Sequence, residues 1–471
     1  MRKISEAKLT EGNIIKHLVY LTLPMILGML GMVLFNVVDT FYVSKLGVNE
    51  LAALSLTFPV VMIITNIALG LGIGVSVLVS RTIGKKDFTS MKRITTDALI
   101  LSVFIVAIFS ATGLLTLKPV FQLLGAGEDI LFYIKQYMYI WYIGMIFVVI
   151  PMVGNNALRA TGDSLSPGLI MFSGAFLNFI LDPIFIFPKI TIPLPLFFLN
   201  VHSITIHGLN LGIRGAALAT VFARATTFTI ALLVLNFKYK MLTFKCGKIN
   251  DIIKSWGDIL YIGVPSAGTR IVIPVAVFFL TKIIYQFGKG PVAAYGIGTR
   301  VEFLSLAILA ALSTIIGPFV GQNLGAGKLD RVKKALKYGK MFSLFWGVFI
   351  SLLLFNFAVP ISRIFEKDPE SSFVVISNAI NYLRIVPFAY GFQGIVLISS
   401  IALNAFKKPF HAFLIILIEM FVLCIPLSLI FSGIYNATGV FLAINVAYIL
   451  TGIISHLILN MIITNMSKHS T

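Results

Sequence analysis

The chain has 471 residues, of which 58% are hydrophobic and only 12% charged, with a formal net charge of +19. A soluble fold of this composition has too little polar surface to cover itself, so a polytopic membrane protein is expected. The positive excess is gathered at Lys8 and Lys16, Arg81 to Arg93, Lys238 to Lys254 and Lys328 to Lys340. These clusters read as topology signals and anchors to anionic lipid, and they leave no need for a nucleic-acid partner.

The polar stretch up to Lys16 leads into an apolar segment too long for the core of a cleaved signal, so the first helix is expected to stay. Apolar runs long enough for a hydrocarbon core of about 30 Å predict twelve spans. In chain order they are Leu18–Val43, Leu51–Ser80, Ala98–Leu117, Tyr133–Leu158, Leu165–Phe187, Leu211–Phe237, Ile259–Phe287, Val292–Val320, Tyr338–Pro360, Ile376–Ala405, Ala412–Phe431 and Gly439–Thr464. The alternating stretch with Pro193 and Pro195 between the fifth and sixth spans predicts a short external hairpin. Its His202 and His207 have no acid or thiol beside them, and a metal site there is not favoured.

Six landmarks recur at a constant offset of 241 residues: Pro24, Gly47, Ala52, Ala53, Gly84 and Lys92 reappear as Pro265, Gly288, Ala293, Ala294, Gly325 and Lys333. This spacing argues for a duplicated half-protein. Six spans return the chain to its starting side, so the halves share one orientation and should be related by a pseudo-two-fold axis along the membrane normal. The expected fold is therefore an all-α polytopic membrane protein with twelve transmembrane helices in two six-helix lobes. The N-lobe is expected over residues 1–237, a cytoplasmic linker over 238–255 and the C-lobe over 256–471. The basic clusters fall on the side of both termini, which places both termini in the cytoplasm.

Two like halves in a membrane favour a transporter over a channel or receptor. An enzyme would need clustered catalytic residues, whereas the six His are scattered and no G-x-x-x-x-G-K-[ST] loop is present. Gly70, Gly72 and Gly74 read as close helix packing. Cys246 in a basic loop and Cys424 in a helix are too few and too differently placed for a disulfide framework.

Ionisable groups inside spans cost a few kcal/mol on insertion scales, so each is a functional candidate. Asp39 lies in the first span and Asp182 in the fifth, with Asn178 one helical turn before Asp182. Pro183 lacks an N–H and frees the carbonyl of Phe179. Two acids, an amide and a free carbonyl make an oxygen-rich site suited to Na⁺ or H⁺. Two other readings stay open: Asp39 near the interface, and Asp182 neutralising Arg224. Pro24 is either a static bend or a hinge. The C-lobe spans carry Arg270, Lys282, Arg300 and Arg384 against Glu302 and Glu419. Glu302 is expected to pair with one of these cations, Glu419 to lie either near the interface or in a cavity, and a coupling cation to prefer the N-lobe.

Pro24 to Asp39, NNALRATGD (Asn155 to Asp163), GIRGAALAT (Gly212 to Thr220), AAYGIGTRVE (Ala293 to Glu302) and GQNLGAGK (Gly321 to Lys328) together resemble the multidrug and toxic compound extrusion (MATE) family. The resemblance implies a V of two lobes in a prokaryotic inner membrane that exchanges inward Na⁺ or H⁺ for an outgoing cationic or amphiphilic organic compound. It needs no cofactor and implies a monomer. It makes Asp39 the principal cation acceptor, with Asn178 and Asp182 completing the site. Thr220 and Asn155, next to Asn156, become further polar ligands. Tyr137 joins the surrounding network, and Pro24 becomes the bend. The alternative within the wider superfamily is a flippase of lipid-linked precursors.

Overall fold

The computed structural model describes residues 8–196, 201–243, 248–365 and 369–468. Cys246 lies outside these residues, as does the side chain of His202. The leading lobe holds α1 (Ile14–Ser44), α2 (Val48–Gly84), α3 (Phe88–Leu123), α4 (Glu128–Gly144), α5 (Ile146–Ala160), α6 (Leu165–Ile186) and α7 (Ile213–Leu233). The trailing lobe holds α8 (Ile249–Tyr285), α9 (Lys289–Gly325), α10 (Leu329–Arg363), α11 (Pro369–Ile385), α12 (Tyr390–Ala405), α13 (Pro409–Leu417) and α14 (Ile425–Lys468). The first turns of α8 thus occupy the end of the predicted linker.

Ten helices among the described residues are long and apolar enough to cross a membrane, and α4 with α5, bent by 45°, makes an eleventh crossing. The apolar run Pro409–Lys468 has 60 residues. At 1.5 Å per residue it would be about three bilayer cores long if straight. It breaks at Asn436, whose φ of 54° and ψ of −141° are not helical, and so supplies two spans. That completes the predicted twelve.

The breaks repeat between the lobes. Gly212, which opens α7, has φ 56° and ψ −135°, nearly the dihedrals of Asn436, and glycine and asparagine are the residues that tolerate this region. Gly215 and Gly439, each three residues further on, lie against the carbonyls of Phe185 and Phe431, where a Cβ would fall 2.4 and 2.1 Å away. The break in the fourth span has a milder counterpart in the 3-10 turn at Val386–Ala389 that joins α11 to α12 within one span.

The predicted hairpin falls in the leading lobe. Strands β1 (Lys189–Leu196) and β2 (Val201–His207) pair antiparallel, with Lys189 opposite His207. The chain then returns to the end of α6: Leu209 and Leu211 donate their N–H groups to the carbonyls of Ile184 and Phe185, at 2.8 and 3.0 Å. These bonds satisfy the carbonyls left open at the helix end. They also start α7 beside α6, despite the long excursion between them.

The lobes meet through small residues. A Cβ on Gly70 would fall 2.6 Å from the carbonyl oxygen of Gly263 in α8, and one on Gly74 2.6 Å from that of Ile259. Gly72 faces Asn156 within its own lobe. At the lysine-rich end, a Cβ on Gly84 would fall 2.1 Å from the Gln322 carbonyl oxygen, and one on Gly325 3.1 Å from the Cα of Gly84. Gly84 and Gly325 are repeat equivalents, so their contact marks the pseudo-two-fold axis.

Among the described residues, every hydrogen bond joining the lobes lies at this end. Leu9 donates to Gln322 Oε1 at 3.2 Å, Gln322 Nε2 to the carbonyl of Ala160 at 2.7 Å, and Asn323 Nδ2 to the carbonyl of Leu9 at 3.1 Å. Arg331 donates to the carbonyls of Gly12 and Glu11, and Trp256 Nε1 to that of Asp97. This end of the bundle is closed.

Candidate functional site

Asp39 comes from α1, Asn178 and Asp182 from α6, Thr220 from α7, Asn155 from α5 and Tyr137 from α4, and all six are buried. These elements converge because α1 packs on α6, α6 on α7, and α4 and α5 on α7. Pro24 sits in the α1–α6 contact: a Cβ on Gly168 would fall 2.6 Å from its carbonyl oxygen. Only a glycine in α6 lets the two backbones approach so closely at the residue whose ring interrupts the α1 hydrogen-bond ladder.

Asn178 Nδ2 donates to Asp182 Oδ1 at 2.9 Å across one turn of α6. Five other oxygens of the predicted site are buried with no partner among the described residues: Asp39 Oδ1, Asp182 Oδ2, Asn178 Oδ1, Thr220 Oγ1 and Asn155 Oδ1. Each such oxygen costs about 1–3 kcal/mol when unsatisfied, so a cation that several of them share is stabilised by them. Asp39 lies within electrostatic reach of Asp182, Tyr137 and Arg224, and Tyr137 of all three charged groups. Among the described residues no basic nitrogen lies within 4.0 Å of either acid. Arg224 instead lies over the Phe35 ring, 4.4 Å from its centroid. Asp182 is therefore not paired with Arg224, and Asp39 is buried rather than turned to headgroups.

The neighbouring asparagines separate clearly. Asn156 Nδ2 donates back to the Met152 carbonyl at 2.8 Å, and its side chain packs on Gly72 of α2. Asn155 lines a cavity of about 70 Å³ with Phe35, Arg159 and Arg224. The Phe179 ring is half exposed and lies 6.3 Å from that of Tyr42, so only its backbone can serve the site.

The C-lobe corrects one expectation. Glu302 has no cationic partner among the described residues: Tyr382 donates to its Oε2, and Tyr448 to its Oε1 at 2.9 Å. Helices α9, α11 and α14 bring two hydroxyl donors to the carboxylate, while Arg384 lies over the Phe355 ring. Glu419 is fully buried, accepting from Gln393 Nε2 at 3.1 Å, which removes the near-interface reading.

Sequence reasoning missed the Gln322–Asn323 closure and the role of Arg159, which entered only as part of the NNALRATGD match. Arg159 is buried at the end of α5, lines the inner cavity with Arg224, and lies within electrostatic reach of Arg270 across the lobes. A single charge in the otherwise uncharged NNALRA stretch was the available signal.

A duplicated twelve-span bundle, with a buried polar cluster in one lobe and closed helix packing at one end, defines a two-lobed membrane transporter. The chain belongs to the MatE family, whose model matches residues 24–184 and 265–430, one stretch in each repeat. Members of this family are secondary transporters, not enzymes. The chain is 36% identical to the FAD transporter of Shewanella oneidensis over 94% of each chain. It is 24% identical to the probable multidrug resistance protein YpnP of Bacillus subtilis over 93% of each. Its fold superposes on the Vibrio cholerae MATE transporter VcmN in the bent form with a TM-score of 0.88 and 28% identity, covering 96% of this chain and 97% of that one. An outward-facing multidrug resistance MATE family transporter matches equally well, with a TM-score of 0.88 and 25% identity over 99% and 100% of the chains.

Proposed function

We propose that this chain is a cation-coupled antiporter of a bacterial inner membrane, exporting an organic compound by alternating access between lobes 1–237 and 256–471. The observation that carries the reading is the set of five unpartnered oxygens on Asp39, Asp182, Asn178, Thr220 and Asn155. Na⁺ or H⁺ taken up there would neutralise the acids and favour a different packing of α1 on α6, with Pro24 as the point of bending. That repacking would lower the affinity for cargo, and by linkage cargo lowers cation affinity by the same factor. With both termini cytoplasmic, the closed lysine-rich end makes this the outward-facing state.

Two cargo readings follow. The cationic or amphiphilic compound expected from the sequence fits competition with a cation for the same acids. An anionic compound is favoured by Arg159, Arg224 and Arg270, none of which has a carboxylate within 4.0 Å among the described residues. The Shewanella relative named for FAD, a dinucleotide with two phosphates, fits that second reading.

The deciding experiment is reconstitution in sealed vesicles with Na⁺ and pH gradients imposed separately, offering a cationic dye and FAD in turn. Transport of either cargo driven by one gradient supports the antiporter and names its ion. Transport of both cargoes at rates indifferent to both gradients would overturn it, and movement of a lipid-linked pyrophosphate alone would favour the flippase alternative.

A further inference from the structure

A second cavity, of about 550 Å³, opens at the lysine-rich end of the leading lobe, away from the acid cluster. Its walls come from the N-terminal segment and the first turns of α1, from the loop joining α5 to α6, and from the residues after α7. Lys8, Lys16, His17, Ser164, Lys238 and Tyr20 face it. Among the described residues no acid lies within 4.0 Å of Lys8 or Lys16.

The one acid in the wall, Asp163, is already engaged. It accepts from Lys238 Nζ at 3.0 Å, from the hydroxyl of Ser166 at 2.6 Å and from Tyr239 at 2.5 Å. Its negative charge is thereby compensated, and the cavity as a whole is cationic. Ser164, the residue that opens α6, is 2% exposed, yet among the described residues its hydroxyl caps no backbone N–H and has no partner. A buried hydroxyl with no partner among the described residues, at the positive end of a 22-residue helix and in one cavity with Lys8 and Lys16, whose charges no neighbouring acid offsets, is the chemistry that receives a phosphate.

The rim identifies the source of that phosphate. Tyr20 is 68% exposed, and from it Leu23 and Leu27 continue along the same face of α1. Leu165, Leu169 and Phe172 form the matching exposed strip on α6, which packs against α1. The cavity thus sits at the head of the apolar groove between these two exposed strips, with Tyr20 in its wall as an aromatic anchor. A soluble phosphate would have no use for that groove. We propose that this cavity is a binding site for one anionic phospholipid, its phosphate among Lys8, Lys16 and Ser164 and its acyl chain along the α1–α6 groove. Because α1 also carries Pro24 and Asp39, a seated lipid holds the start of the helix that bears the cation site.

The test uses the full chain in detergent and native mass spectrometry with phosphatidylglycerol, phosphatidylcholine and glycerol phosphate as probes. One phosphatidylglycerol is expected to be retained more tightly than phosphatidylcholine. Lys8→Gln with Lys16→Gln should weaken that binding about thirtyfold, at roughly fivefold for each lysine charge removed. Ser164→Ala should weaken it by a smaller factor without disturbing the fold, because the hydroxyl holds nothing within the protein. Lys333→Glu with Lys337→Glu on the other lobe should leave it unchanged. The proposal is overturned if the Lys8 and Lys16 variant, eluting as a single folded species, keeps its phosphatidylglycerol. It is equally overturned if glycerol phosphate binds as tightly as the lipid.

Discussion

Asn178 donates to Asp182 across one turn of α6, at 2.9 Å, while the remaining oxygen of each side chain is buried with no partner. The amide therefore fixes the carboxylate with one atom and offers a ligand with the other. Asn178→Leu removes both roles. The variant should lose about 1–3 kcal/mol of stability from the newly unpaired carboxylate, seen as a lowered melting temperature, and gradient-driven export should fall more than tenfold.

Thr220→Val separates function from folding more cleanly. The hydroxyl of Thr220 makes no hydrogen bond, so valine, of similar shape, should leave thermal stability unchanged or slightly higher. Cation affinity should fall severalfold, measured as the concentration of Na⁺ or H⁺ that half-saturates export. A loss of stability without a change in half-saturation would show that the hydroxyl is structural.

At the pseudo-two-fold axis, Gly84 has no room for a side chain against the backbone of Gln322. Gly84→Val should separate the lobes at the lysine-rich end, at a cost of about 1–3 kcal/mol to the closed arrangement. A cysteine placed at Leu9, which is buried in this state, should then react with a water-soluble thiol reagent several times faster than in the parent protein.

The spans, the repeat and the N-lobe acids were legible in the sequence because each depends on local pattern: apolar length, a fixed offset, and an ionisable residue where lipid makes it costly. The hairpin was legible for the same reason. Contacts set by tertiary packing were not. Leu9 meets Gln322 across 313 residues, and Glu302 meets Tyr382 and Tyr448 across 80 and 146. No spacing rule links these positions, so Glu302 read as an acid in want of a cation when two hydroxyls already served it. Asn155 and Asn156 could not be told apart by sequence, since which of two adjacent residues faces inward depends on how α5 is rotated against α2.

Asp163, in the loop between α5 and α6, gives a pH signature outside the membrane. Burial alone would push its carboxyl up, but hydrogen bonds from Ser166, Tyr239 and Lys238 outweigh it and hold the group at about 2, below its ordinary 3.8. A depressed carboxyl stabilises the fold above its unfolded value, and that contribution is lost as pH falls from about 4 through 2. Asp163→Asn should therefore lower the melting temperature by a constant amount between pH 5 and 8. The gap to the parent protein should close below pH 4, and a gap that widened there would contradict the assignment.

The central claim is that Asp39 and Asp182 hold the coupling cation together. It is tested most directly by measuring uptake of radioactive sodium, and of protons from weakly buffered solution, by the purified parent protein and by Asp39→Asn and Asp182→Asn variants, with and without cargo. The account predicts that one of the two cations binds the parent protein, that cargo releases it, and that either variant abolishes binding while remaining folded and able to bind cargo. Undiminished cation uptake in both folded variants would contradict it.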